Sequence, residues 1–235
     1  MKPIMKYAIK QSFPITCSYL FVSFAYGIMM QEAGLEAGWS LLTSLTVYTG
    51  AFQFVLVTLL SGGASYLTIA VTALFMNSRQ SFYGLSFTKD FPKMGKAYWY
   101  MVHTMTDETY AVNCALEQKK DADELLENDD NRRKIMLLVA LFSRISWMMG
   151  ACFGGILGQL IPFELKGIDF CMTALFVVIF LDQWKAFQDH LPALLGIGVG
   201  TLLLLCLGQD VFMLPTLVLV SGILILLRRR FEENE

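Results

Sequence analysis

The chain has 235 residues, of which 55% are hydrophobic and only 16% are charged, with a formal net charge of −2. Soluble domains carry about 25% charged residues, so this composition excludes an ordinary soluble globular protein. It also gives no sign of a nucleic-acid partner, because the chain has no basic excess. Long uncharged stretches recur along the chain, and they predict an all-α, polytopic integral membrane protein.

The hydrophobic segments predict seven or eight membrane helices, some of them short or broken, in a single transport domain over residues 1–235. The first segment is interpreted as a retained helix and not a secretory signal, because its apolar stretch of about 18 residues exceeds a usual signal core. Glycines and prolines punctuate the segments. The approximate spans are 13–31, 40–60, 65–83, 98–115, 135–160, 168–183, 191–207 and 211–227.

The fourth span leaves three alternatives open. Residues 98–115 carry two carboxylates and an imidazole, so they could cross the bilayer, dip in and return, or lie in the interface. Basic residues favour the cytoplasmic side. Eight crossings with both termini inside and seven crossings with the N-terminus outside satisfy this rule equally well. Both arrangements place the loop 117–134 and the tail at Arg228–Arg230 in the cytoplasm.

Small residues recur every four positions on two of the predicted helices. Gly150, Gly154 and Gly158 form one such series, and Gly196 and Gly200 form another. Spacing of this kind lets helix backbones approach closely in a membrane. The partner helix belongs either to this chain or to a second subunit.

Several chemical functions are not indicated by any motif. The five cysteines and two histidines have no metal-ligand spacing, so no metal or cofactor is expected. The sequence has no phosphate-binding loop of the P-loop type, which argues against ATP binding by this chain. It also has no hydrolase or metalloprotease signature, so we expect a non-enzyme.

Arg79 is the first candidate binding residue, because it interrupts an apolar segment directly after Asn77 and Ser78. An arginine at membrane depth costs roughly 2.5–3.5 kcal/mol on insertion scales, so it is expected to face protein, water or a ligand. The polar neighbours and the bidentate guanidinium suit an anion such as a carboxylate. The alternative is an arginine that extends to the lipid headgroups.

The second span contains a possible helix break around Tyr48, Gly50 and Gln53. Transporters often bind substrate where broken helices expose backbone groups near the bilayer midplane. Glycine loosens the helix, and the Gln53 amide needs a hydrogen-bond partner. The alternative is ordinary helix packing with one interhelical hydrogen bond.

Asp107 and Glu108 supply charge of the opposite sign. Adjacent helical residues point about 100° apart, so one acid can bind a cation while the other takes a structural partner or a proton. The alternative is a pair of solvated acids in the interface. Arg144 and Asp169 lie within and near apolar spans, and we expect them to form a structural charge pair.

Together these residues suggest a small zwitterion with an apolar side chain. Arg79 would hold a carboxylate, and Asp107 or Glu108 would hold an ammonium group. The wall between them would be made of Phe, Leu, Val and Met. Periodicity alone does not show that the groups converge.

In order and spacing, three motifs resemble the AzlC family of branched-chain amino acid permeases. They are Val47-Tyr-Thr-Gly-Ala-Phe-Gln-Phe54, Asn77-Ser-Arg79 and Thr106-Asp-Glu108, and Pro14 and Trp147 fit the same pattern. The resemblance implies export of small hydrophobic amino acids across the bacterial cytoplasmic (inner) membrane, together with a small AzlD-type membrane subunit. Gln80 stands where the family usually has histidine, so His103 or a carboxylate would have to carry a coupled proton.

Two other functions compete with transport. The chain could be a membrane-embedded scaffold or sensor subunit without its own substrate path. An ion channel is the third alternative, and the mixture of acidic and basic groups disfavours it.

Overall fold

The computed structural model describes residues 2–119, 123–160, 190–208 and 212–227, with 173–174, 177–178, 180–181 and 184–185; the side chains at 79, 81, 82, 85, 213 and 214 lie outside this description. Every regular element in these residues is helical, which confirms the predicted all-α class. The elements are α1 (Lys2–Glu32), α2 (Ala37–Thr46), α3 (Gly50–Ser61), α4 (Tyr66–Ser86), a 3₁₀ helix (Phe91–Ala97), α5 (Tyr98–His103), α6 (Asp107–Gln118), α7 (Glu124–Glu127), α8 (Asp129–Leu160), α9 (Leu191–Leu207) and α10 (Met213–Leu226).

The described residues fall into two compact units, one formed by residues 1–62 and 77–171 and the other by residues 63–76 and 172–235. The single transport domain expected from the sequence therefore stays a prediction. In the second unit, α9 packs on α10, where a methyl group placed on Gly200 would lie 3.6 Å from Thr216 Cγ2.

The predicted number of membrane spans is not confirmed. Among the described residues, α1 and α8 are long and apolar enough to cross a bilayer. Four further apolar helical stretches have only 10–17 residues each. They are Gly50–Ser61, Tyr66–Ser78, Leu191–Leu207 and Pro215–Leu226. The predicted span 168–183 lies mostly outside the described residues, and the predicted spans 40–60 and 98–115 are each divided into two helices.

Helices α1 and α8 run parallel and form the centre of the first unit. Gly150 packs on Ser23, Gly154 on Phe24 and Gly158 on Gln31, so the contact advances in the same direction along both helices. A methyl group on Gly154 would overlap the Phe24 carbonyl oxygen. The predicted glycine face is therefore confirmed on α8, and its partner there is another helix of this chain.

The predicted span 40–60 is a hairpin of two short helices with its tip at residues 47–49. Helix α2 runs antiparallel to α8, from Ala37 beside Gly155 to Leu45 beside Arg144. Helix α3 then leads back along α1, where Phe54 packs on Tyr26 at a ring-centroid distance of 5.6 Å. The break that the sequence suggested near Gly50 is confirmed.

The predicted span 98–115 is a second hairpin, with its tip at residues 104–106. It begins near Asp90, whose carboxylate lies 3.7 Å from the Arg132 guanidinium at the start of α8. It ends near Glu117, whose carboxylate lies 2.5 Å from the same guanidinium. Both arms therefore start and finish at one end of α8, and the second of the three alternatives, dipping in and returning, describes this geometry.

This arrangement differs from both crossing schemes derived from the sequence. Eight crossings would put residues 84–97 opposite the loop 117–134, yet Asp90 and Arg132 are in contact. Seven crossings would put the N-terminus opposite that loop, yet α1 and α8 are parallel. Hydropathy does not distinguish a folded-back hairpin from a continuous span of equal length, because the two have the same composition.

Candidate functional site

The two hairpin tips meet beside the middle of α8. His103 Nε2, at the end of α5, lies 3.4 Å from the carbonyl oxygen of Leu45 near the end of α2. Arg144 of α8 donates a hydrogen bond to the same carbonyl oxygen. Carbonyls at a helix C-terminus lack helical partners and carry partial negative charge, which a guanidinium neutralises.

Tyr48 at the first tip has an unusual backbone conformation. Its φ is +46°, and it is the non-glycine residue with positive φ among the residues described. Such a conformation is costly for a bulky residue and often marks a functional site. It places the Tyr48 ring 5.4 Å from Cζ of Arg144, while Tyr100 of the second hairpin lies 5.5 Å from the same atom. The guanidinium is therefore flanked by one aromatic ring from each hairpin.

An aromatic wall lies next to these tips. The indole of Trp147 covers Gly50 so closely that a methyl group there would lie 2.9 Å from the ring. Tyr19 packs edge-on against Trp147 at 5.2 Å, and Tyr26 stacks on it at 6.4 Å. Glycine is therefore required at residue 50, because the indole occupies the space that a side chain would need.

Several buried polar atoms at the first tip have no hydrogen-bond partner within the described part of the chain. They are Tyr48 Oη, Thr49 Oγ1, Gln53 Oε1 and Trp147 Nε1. The side chain of Gln53 is fully buried, and its amide nitrogen donates to Ser44 Oγ at 3.3 Å. Buried polar groups are nearly always paired, so a cluster of unpaired ones is a place where a polar ligand or water fits.

The second tip presents two carboxylates in different directions. Thr106 caps α6 through a reciprocal pair of hydrogen bonds with Thr109, which fixes the first turn. Glu108 accepts a hydrogen bond of 2.6 Å from Tyr19 of α1. Asp107 accepts one of 2.5 Å from Tyr83 of α4. The predicted divergence of the two acids is confirmed.

The polar patch at Arg79 is only partly described. Arg79 lies on α4 four residues before Tyr83, a spacing that puts both residues on one helix face. The side chain of Arg79 lies outside the described residues, as does Asp169, so neither the carboxylate role of Arg79 nor the pair of Arg144 with Asp169 is tested. Asn77 is half-buried on the same helix.

An ionic cluster forms far from the tips, at the start of α8. Arg132 is only 4% exposed and contacts Glu117, Asp129 and the Leu126 carbonyl oxygen. The hydrogen bond from Arg132 and its positive charge hold the pKa of Asp129 below its usual value. Arg133 adds a contact of 3.4 Å to Asp90. This cluster joins the ends of the second hairpin to α8.

Sequence reasoning missed Tyr19 and Tyr100, which contact Glu108 and Arg144. Each is one aromatic residue in an apolar segment, and nothing local distinguishes it from a packing residue. Of the predicted residues, the structure brings seven to the tips: Tyr48, Gly50, Gln53, His103, Asp107, Glu108 and Arg144. Among the residues described, no group of three His, Cys, Asp or Glu side chains could hold a metal ion.

Comparisons with known proteins agree in pointing to one family. The family model described as AzlC protein matches residues 14–161. The branched-chain amino acid transport protein AzlC of Bacillus subtilis is 32% identical over 97% of this chain and 87% of its own length. An uncharacterized membrane protein of Haemophilus influenzae is 33% identical over 95% of this chain and 88% of its own length.

A third relative is the inner membrane protein YgaZ of Escherichia coli, which is 30% identical over 90% of this chain and 84% of its own length. No solved structure matches the chain at a significant level. The family match covers both hairpins, α8 and the part of α1 from residue 14 onward, the elements that build the site. The chain is a membrane protein that belongs to the AzlC family.

Proposed function

We propose that this protein is a secondary transporter that exports branched-chain or similar hydrophobic amino acids across the bacterial cytoplasmic membrane. Membership of the AzlC family and the name of the Bacillus subtilis relative support the transported class. Membership also supports a small AzlD-type membrane subunit as partner.

One observation carries the proposal: two helical hairpins from opposite ends of α8 meet next to an aromatic wall, at buried polar atoms that have no partner among the described residues. Broken helices with exposed backbone groups at mid-membrane are a recurring way to bind a small solute. The polar atoms suit the charged end of an amino acid. The aromatic wall suits its apolar side chain.

The same hairpins suggest how the chain crosses the membrane. If both hairpins enter the bilayer and return, the crossing segments are α1, α4, α8, the predicted span 168–183, α9 and α10. Both termini and the loop 117–134 are then cytoplasmic. The cytoplasmic side then also contains Lys89, Lys93 and Lys96. Lys166 is the one basic residue of the outer connections. This agrees with the preference of basic residues for the cytoplasmic side better than either earlier arrangement.

Proton coupling is assigned to the second hairpin. Asp107 and Glu108 either bind the ammonium group or carry a proton, and His103 is the imidazole at the meeting point of the tips. A carboxylate or imidazole in a protein-lined path is the usual carrier of a coupled proton. In this proposal His103 or one of the two carboxylates takes the place of the family histidine that Gln80 replaces.

Arg79 remains the sequence-based assignment for the carboxylate, with Asn77, Gln53, Gly50 and Tyr48 shaping the site. The assignment of Arg79 can be tested in proteoliposomes that contain the chain with its small partner subunit and are loaded with labelled valine. A pH gradient should drive valine efflux, and a protonophore should abolish it. We expect Arg79→Ala to abolish efflux while membrane insertion stays intact, because the substrate carboxylate would lose the guanidinium assigned to it here.

Lys89→Ala is the matched control, since Lys89 is an exposed basic residue just beyond the end of α4. It should transport at the wild-type rate. Normal efflux by Arg79→Ala would show that the assignment of Arg79 is wrong. Absence of efflux from the unmodified complex would favour a scaffold or sensor subunit over a transporter.

A further inference from the structure

Arg144 stands at the junction of the two hairpins. Its guanidinium lies between the rings of Tyr48 and Tyr100, and its described hydrogen bond goes to the Leu45 carbonyl oxygen. Within the described ranges, no carboxylate lies within 4.0 Å of it. A guanidinium has five N–H donors, so donors remain for an anion.

Glu108 of the second tip provides the opposite charge. It is held by Tyr19, which packs on Trp147 beside Gly50 of the first tip, and the Tyr48 phenol next to Arg144 interacts electrostatically with it as well. Glu108 is exposed and is oriented by the hydroxyl of Tyr19 at 2.6 Å. Because Tyr19 donates its single proton to Glu108, it accepts from the Thr106 hydroxyl at 2.7 Å. The carboxylate is thus held in place while remaining accessible.

Two buried groups near these charges are polar. Within the described part of the chain, the Tyr48 hydroxyl and the Trp147 indole N–H have no hydrogen-bond partner, and both residues are only 3% exposed. Both groups are hydrogen-bond donors, and a carboxylate is an acceptor-only group. Leaving two buried donors unpaired is costly, so a ligand that pairs them gains binding energy.

We infer that Arg144 and Glu108 form a clamp for an α-amino acid zwitterion, in which Arg144 and the Tyr48 hydroxyl bind the carboxylate and Glu108 binds the ammonium group. The rings of Trp147 and Tyr26 then face the apolar side chain. The inference rests on the proposed function and deepens it. It assigns the carboxylate to Arg144, whereas the prediction from the sequence assigned it to Arg79.

The test measures binding of three isosteric ligands to the purified, detergent-solubilised complex by thermal stabilisation. L-Valine carries both charges, L-valinamide lacks the carboxylate and isovalerate lacks the ammonium group. Arg144→Gln should weaken valine binding about ten- to hundredfold, the effect of losing a hydrogen bond between charged groups, and leave valinamide binding unchanged. Glu108→Gln should weaken valine binding similarly and leave isovalerate binding unchanged.

Lys134→Gln, a neutralisation near the start of the same helix, is the matched control and should change none of the three affinities. If Arg144→Gln does not fold, Arg144→Lys, which keeps the charge, should retain most valine binding, and Tyr48→Phe should weaken valine but not valinamide binding. Equal losses for valine and valinamide in Arg144→Gln would overturn the inference. So would a carboxylate-selective loss in Arg79→Gln alone, which would leave the proposed function standing. No binding of valine by the unmodified complex would reject both.

Discussion

At the scale of single residues, Gly50 shows how one position defines the candidate site. It is the first residue of α3, directly after the break, and the Trp147 indole lies against it. Glycine is required there by the contact, because a methyl group would be within 2.9 Å of a rigid ring. The aromatic wall and the helix break are therefore joined at this residue.

Gly50→Ala is expected to destabilise the protein by about 1–3 kcal/mol, because overpacking forces the indole or the tip to move. Gly38→Ala is the matched control, since Gly38 lies near the start of α2 and its added methyl group would meet nothing within 4 Å. With no described atom in contact, that change should be neutral or stabilising by up to about 1 kcal/mol, because alanine favours the helix. Thermal unfolding of the detergent-solubilised protein measures both, and equal stability of the two variants would contradict the packing argument.

At the scale of elements, the packing of the first unit depends on the close contact of α1 and α8. Three glycines of α8 remove the side chains that would otherwise separate the helices, and Gly27 does the same on α1. Close backbone approach is a main source of helix association in membranes, where the hydrophobic effect is absent. The two hairpins pack around this pair, so its geometry sets the distance between their tips.

Gly154→Leu is expected to prevent correct assembly of the first unit, because the side chain would overlap the backbone of Phe24. Gly196→Leu tests whether leucine in an apolar helix is harmful in itself, since no described atom lies within 4 Å of a methyl group at Gly196. The fraction of monodisperse protein in size-exclusion chromatography should fall sharply for the first variant only. A normal elution profile for Gly154→Leu would mean that the helices are not in this contact.

At the scale of the whole molecule, the hairpins determine which connections share one side of the membrane. Residues 89 and 127 lie near the start of α8, and residue 36 lies beside Gly155. Along α8 these levels are about 35 Å apart, close to the thickness of a bilayer core. The loops on either side of 98–115 should therefore be reached from the same compartment.

Single cysteines at Lys89, Glu127 and Glu36, in a background without native cysteines, test this arrangement. All three native side chains are exposed. We expect a membrane-impermeant thiol reagent to label positions 89 and 127 from the cytoplasmic face and position 36 from the opposite face. Labelling of positions 89 and 127 from opposite faces would show that residues 98–115 cross.

The sequence by itself determined the membrane-protein class, the helical secondary structure, the break near Gly50 and the divergence of Asp107 and Glu108. These are local properties, set by composition, by a flexible residue and by the 100° rotation between helical neighbours. Tertiary structure alone decided that the segments 40–60 and 98–115 fold back and that Arg144 sits between rings from both hairpins. Hydropathy is an average over a segment, so it does not show whether the segment continues or folds back. Contacts between residues far apart in the chain exist only after folding.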